Sequence, residues 1–105
     1  MNKRTKAKWL KALRSGKYKQ TRGKLQRGGR NCCLGVLAAC MGVNPKEAGG
    51  SVKDHRRDLL SKKYEKMFGI TLRQQNRFSI LNDDYRRRYD FLKIADKIEN
   101  AKLEG

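Results

Sequence analysis

The chain has 105 residues and carries 27 Lys and Arg against 10 Asp and Glu, which gives a formal net charge of +17 at pH 7. With 37% hydrophobic and 35% charged residues, it has apolar material for one small core, so we expect a single domain over residues 1–105. The longest apolar run, 32–43, is shorter than the roughly 20 residues of a membrane span. The basic N-terminus lacks the apolar segment of a secretory signal. We therefore expect a cytoplasmic protein with no membrane contact.

The first predicted element is an amphipathic helix over 5–15. Trp9, Leu10 and Leu13 fall on one face at helical spacing, and Gly16 is a natural stop in the left-handed conformation. Basic residues occupy the remaining faces of this helix. They are Lys6, Lys8, Lys11 and Arg14.

The segment 17–30 contains three glycines and few large apolar residues, which predicts a short β-hairpin or an ordered basic loop. Asn31 is placed to cap a following helix over 32–41 that is apolar on every face and therefore central. Gly42 followed by Val43 predicts a Schellman-type end for that helix.

The next segment, 44–50, looks like a helix start that a pair of glycines stops after about one turn. Ser51 followed by Asp54 resembles a capping box and predicts a longer helix over 51–68, ending at Gly69. Apolar residues mark its buried stripe. They are Val52, Leu59, Leu60, Tyr64, Met67 and Phe68.

The last third of the chain predicts two more helical segments. Thr71 with Gln74 repeats the capping signal, 82–84 breaks the apolar pattern, and Asp90 is placed to cap a last helix over 91–98. The chain is thus predicted to be mainly α: a compact single domain of about four helices. A basic glycine-containing loop or short β-hairpin lies between the first two.

Two parts of the chain carry a family resemblance. The run KWLKALRSGKYKQ at 8–20 is followed by Gly-Lys-Leu at 23–25 and CCLGVL at 32–37, and the C-terminal part holds Leu-Asn-Asp at 81–83, Phe91 and IADKIE at 94–99. This set resembles a family of small uncharacterised proteins encoded by tailed bacteriophages and prophages. The resemblance implies an origin in a phage genome and action in the cytoplasm of an infected host bacterium.

The three cysteines suggest two kinds of chemistry. They form no Cys-x-x-Cys pair and the chain has one histidine, so we expect no zinc site or other metal. Cys32 stands where a helix N-terminus would lower its pKa, and His55 could complete a Cys-His pair. The alternative, which we favour, is that Cys32, Cys33 and Cys40 are small buried hydrophobes, with no catalysis and no cofactor.

Gly28 and Gly29, followed by Arg30 and Asn31, are predicted to open a helix. Backbone N–H groups there, flanked by Arg27 and Arg30, would form a phosphate cradle, and no Gly-Lys-Ser/Thr follows to make it a nucleotide-hydrolysing loop. The alternative is a connector whose glycines merely let the chain turn.

The charge is unevenly distributed. Residues 1–46 hold 13 Lys and Arg and no acidic residue, whereas 47–105 hold 14 against 10. Such segregation favours a polyanionic partner, and Lys and Arg interleaved with Tyr are typical of nucleic-acid contact. Besides the four cations of the first helix, the predicted contact residues are Lys17, Tyr18, Lys19, Arg22, Lys24, Arg27, Arg30, Arg86, Arg87 and Arg88.

The sequence therefore predicts a small basic phage protein that binds nucleic acid through phosphate contacts and is not an enzyme. The alternative is a host-takeover or anti-defence protein that docks on an acidic host protein surface. Either partner would be recognised mainly by charge, so salt dependence alone separates them only in part.

Overall fold

The computed structural model describes residues 1–103, which form five helices and one two-stranded hairpin. The prediction of a mainly α chain is confirmed, and the expected count of about four helices is one too few. No helix among these residues has the length and apolar content to cross a membrane. The elements are α1 (Lys3–Arg14), β1 (Gln26–Arg27), β2 (Arg30–Asn31), α2 (Cys33–Cys40), α3 (Lys62–Phe68), α4 (Leu72–Asp83) and α5 (Phe91–Glu99).

The core is built around α2, as its all-apolar sequence predicts. Its first six residues are buried, and α1 and α4 both pack against it. Trp9 of α1 is fully buried: its indole Nε1 donates to the Cys33 carbonyl at 2.8 Å, and its ring meets Phe78 of α4 edge-on, 5.7 Å between centroids. A helix enclosed on every side needs apolar residues all round, which α2 has.

The ends of α2 agree with the prediction on one side only. Gly42 has φ 81°, and the Val43 N–H donates to the Ala38 carbonyl at 2.9 Å, so the Schellman end is confirmed. The predicted cap Asn31 is wrong, because Asn31 lies in β2 and pairs with Gln26. Cys32 takes the cap position instead, and its Sγ accepts from the Gly35 N–H at 3.4 Å.

The predicted helix over 51–68 is wrong in its first half. The Asp54 N–H does donate to the Ser51 hydroxyl, but His55 (φ 59°) and Asp58 (φ 62°) adopt the left-handed conformation, which ends any helix there. Segment 51–61 is a series of turns, and α3 begins only at Lys62. Two members of the predicted buried stripe, Val52 in the turns and Met67 in α3, are exposed.

The last two helices begin where their capping signals predict. Thr71 and Gln74 form a reciprocal capping box, and the Asp90 carboxylate accepts from the Lys93 N–H. α4 ends at Asp83, inside the predicted break at 82–84, and it buries Asn82 of its last turn completely. An asparagine fits this buried position because its side chain makes four hydrogen bonds there.

Candidate nucleic-acid interface

Two of the predicted contact residues hold α1 against α5. Lys6 Nζ donates to the carbonyls of Glu99 and Ala101, at 3.2 and 2.9 Å. The Arg14 guanidinium lies 2.9 Å from Asp96 and 3.2 Å from Glu99, and hydrogen bonds to these carboxylates raise its pKa. Both cations are therefore engaged within the protein, and their contact with nucleic acid stays a prediction.

Three further predicted cations are partly engaged. Arg22 Nη2 donates to the Tyr89 carbonyl at 3.2 Å. Lys24 lies 3.9 Å from Asp58 and Arg87 lies 3.6 Å from Asp84, both at the weak end of ion pairing.

The other predicted cations are exposed and have no carboxylate within 4 Å among residues 1–103. A surface lysine or arginine in this state can exchange its counterions for phosphates. The eight are Lys8, Lys11, Lys17, Lys19, Arg27, Arg30, Arg86 and Arg88.

Three of these lysines converge on one groove of about 420 Å³, which we call the basic groove. Lys8 and Lys11 come from α1, and Lys17 follows its end. Tyr18 forms a wall, and the small side chains of Ala12, Ser15, Ala39 and Cys40 complete the lining. Among residues 1–103, no acidic residue lines the groove, so its rim carries three positive charges without a carboxylate partner in that part of the chain.

The remaining N-terminal cations surround the hairpin of β1 and β2. Gly28 (φ 55°) and Gly29 (φ 76°) form its two-residue turn, so the hairpin alternative of the prediction is the correct one. Arg27 and Arg30 flank this turn as directly opposite partners. The Lys19 carbonyl accepts from the Asn31 N–H at 2.8 Å, which places the chain leaving the basic groove beside β2.

The predicted phosphate cradle at the start of α2 does not form. Its two glycines belong to the hairpin turn, and Asn31 and Cys32 separate that turn from the helix. The first N–H of α2, from Cys33, donates to Asn82 Oδ1 at 3.2 Å within the core. The helix terminus is thus enclosed and cannot reach a phosphate.

Two of the three cysteines are buried and the third, Cys40, is half-buried. Cys32 is 3% exposed, and burial raises its pKa to about 11, the opposite of what a helix N-terminus alone would do. Burial also raises the pKa of Cys33, and that of the half-buried Cys40 to about 11. Among residues 1–103, no three His, Cys, Asp or Glu side chains come together as metal ligands.

The sequence prediction missed the polar residues that position segment 17–21. Asn82 Nδ2 donates to the Thr21 carbonyl at 2.9 Å, while Gln20 Nε2 donates to Asn82 Oδ1 at 3.1 Å and to the Tyr89 carbonyl at 2.9 Å. One signal was present: Gln75, Phe78 and Asn82 follow the i, i+3, i+7 spacing of a buried helix face.

Comparison with known proteins gives one family. The family described as "Domain of unknown function (DUF8296)" matches residues 1–65, which include α1, the hairpin, α2 and the whole basic groove. No curated protein and no solved structure matches the chain.

Proposed function

We propose that this chain, which belongs to the DUF8296 family, binds nucleic acid through phosphate contacts and is not an enzyme. The cations that make these contacts are the exposed ones of the basic groove, Lys19 and the hairpin turn. Phosphate contacts carry no base information, so binding would be largely independent of sequence. In line with the resemblance of the chain to phage proteins, the polymer would be met in the cytoplasm of an infected bacterium.

The observation that carries the proposal is the arginine pair at the hairpin turn. Arg27 and Arg30 lie directly opposite each other, both are exposed, and neither has a carboxylate within 4 Å among residues 1–103. Like charges in opposite strand positions destabilise a hairpin. A phosphate between the two guanidinium groups would turn this repulsion into charge-assisted hydrogen bonds.

The engaged cations support the same conclusion by contrast. Arg14 and Arg56 each join two parts of the fold, and the guanidinium of each lies within 3 Å of a carboxylate. The chain thus supplies close acidic partners for cations that stabilise packing. Within the described part of the chain, residues 1–103, the cations of the groove and hairpin have no such partners, as binding to an external polyanion requires.

The test measures the affinity for a labelled 20-base-pair duplex and for the matching single strand over a series of salt concentrations. The variant is R27Q/R30Q, and the matched control is R73Q/R77Q, an exposed arginine pair on α4. At a slope of about 0.9 per neutralised phosphate, loss of the one phosphate held between the two arginines should lower the log–log salt slope for the duplex by about 0.9, and the control should leave it unchanged.

Absence of binding to both DNA and RNA at about 50 mM salt would overturn the proposal. So would equal losses in the variant and the control, because net charge alone would then explain the affinity. A lysate capture with and without nuclease covers the acidic-protein alternative: an acidic protein retained after nuclease treatment, together with no nucleic-acid affinity, decides against the proposal.

A further inference from the structure

We infer that the basic groove binds an unpaired nucleotide of single-stranded nucleic acid, with the base against Tyr18 and the adjoining phosphates on the rim lysines. This inference rests on the proposed function. It adds that the bound nucleic acid is single-stranded and names the place where a base is held. The lining of the groove, the position of Tyr18 and the distribution of charge around them support it.

The groove combines two surfaces that a nucleotide needs. Its small side chains, among them Ala12, Ala39 and Cys40, leave a shallow surface of mixed apolar and polar groups, and about 420 Å³ falls within the range of roughly 300–1,000 Å³ found for small-ligand sites. Lys8 and Lys11 stand three residues apart on α1, so their side chains are neighbours on one helix face. A shallow surface of small side chains beside adjacent cations suits a flat base joined to phosphates.

Tyr18 is placed as a stacking surface. Its ring is half-buried and packs on the core, which fixes its orientation, while part of it lines the groove. Lys17 Nζ lies over the ring, 5.8 Å from its centroid, so this flexible lysine must turn toward the adjoining phosphate where a base stacks on that face. A ring held in place loses little conformational entropy on binding, which favours stacking.

The preference for single-stranded over double-stranded nucleic acid follows from the geometry of stacking. In a duplex both faces of each internal base are covered by neighbouring base pairs, and the phosphate backbone is the part that protrudes. An unpaired base offers a free face to an aromatic side chain, and such stacking tolerates any base. The groove is therefore suited to a single strand, whereas the hairpin arginines can contact the phosphates of either form.

The first experiment compares an oligothymidylate with a duplex of mixed sequence at one salt concentration. Tyr18→Leu should lower the affinity for the single strand about tenfold and leave the duplex affinity unchanged. Tyr18→Phe, which keeps the ring, should restore single-strand binding. The matched control is Tyr85→Leu, because Tyr85 is an exposed tyrosine that also neighbours arginines but lies outside the groove. Thermal unfolding of each variant checks that it is folded.

A second experiment uses Cys40 as a reporter within the groove. Cys32 and Cys33 are buried, so iodoacetamide should modify Cys40 first under native conditions. Saturating oligothymidylate should slow this modification at least threefold, whereas thymidine monophosphate or the duplex at equal phosphate concentration should not. Protection by the monophosphate alone would instead indicate a site for free nucleotides and would overturn the inference.

The outcomes separate the inference from the proposed function. If single strand and duplex bind equally and Tyr18→Leu is without effect on either, the nucleotide site is wrong while nucleic-acid binding stands. If neither polymer binds, both fail. Equal losses for Tyr18→Leu and Tyr85→Leu also contradict the inference, because the groove would then have no special part in stacking.

Discussion

Asn82→Ala is the perturbation that most directly tests how the structure holds its basic segment. The Asn82 side chain is fully buried at the end of α4, where it joins that helix to α2 and to segment 17–21. Its Oδ1 accepts from Gln20 and from the Cys33 N–H, and its Nδ2 donates to Thr21 and Asp83. Removing the amide leaves all four partners without this bond.

The loss of stability can be estimated from the surroundings of those partners. Cys33 is 0% exposed, so its N–H stays unpaired in the core at a cost of about 2 kcal/mol. The other three partners are part-buried and can reach water, so each loses only about 0.5 kcal/mol. The higher helix propensity of alanine offsets about 0.6 kcal/mol of this loss in the free energy of unfolding. We therefore expect a decrease of about 3 kcal/mol in the free energy of unfolding.

Urea unfolding followed by far-UV circular dichroism measures this decrease. Asn76→Ala is the matched control, because Asn76 is exposed on the same helix and its side chain makes no hydrogen bond among residues 1–103. Its stability should change by less than about 0.7 kcal/mol, in the stabilising direction. If the two variants differ by less than about 1 kcal/mol, the four hydrogen bonds do not anchor the segment and the reasoning is refuted.

Three other predictions concern single sites. Gly35→Ala should destabilise the protein by about 2 kcal/mol in urea unfolding, since an added Cβ would lie 2.2 Å from the Leu25 carbonyl oxygen. An unchanged urea midpoint would contradict this close contact. Gln75→Leu should cost about 2 kcal/mol by the same assay, because the buried Leu60 N–H loses its acceptor, and a neutral result would rule out that bond. Asp84→Asn should flatten the pH dependence of stability below pH 3.8. Hydrogen bonds from the backbone N–H groups of Arg87 and Arg86 lower the pKa of Asp84 from its ordinary value of 3.8. The stability that the Asp84 carboxylate contributes is therefore present above pH 3.8 and is lost as the pH falls through the lowered pKa. An unchanged acid profile would count against it.

The parts of the fold that the sequence predicts are those governed by local chemistry. The central helix, its glycine end and the caps of α4 and α5 follow from side chains within a few residues of each other. The hairpin was predicted only as one of two alternatives. An isolated two-stranded hairpin is only marginally stable, and here the Gln20–Asn31 bridge adds pairing to a third segment.

The errors arise where distant residues decide the conformation. Segment 51–61 has a capping signal, yet it folds as turns because Gln75, 15 residues after Leu60, binds both the N–H and the carbonyl of Leu60. The part-buried Glu65 carboxylate also binds Gln75 and Arg56, which holds the turns against α3. Tertiary hydrogen bonds of this kind override local propensity, and the sequence pattern does not encode their partners.

The same dependence on distant residues bears on the candidate site. Every side chain of the basic groove, as well as the hairpin, lies within residues 1–65, the part that matches the family. Yet segment 17–21, which contains Tyr18 and joins the groove to the hairpin, is held by Asn82 of α4 and by the Tyr89 carbonyl before α5. Acidic residues of α5 likewise bind Arg14 at the end of α1. The nearly neutral C-terminal part therefore selects which N-terminal cations are neutralised and which stay exposed, so the two parts of the chain make one surface.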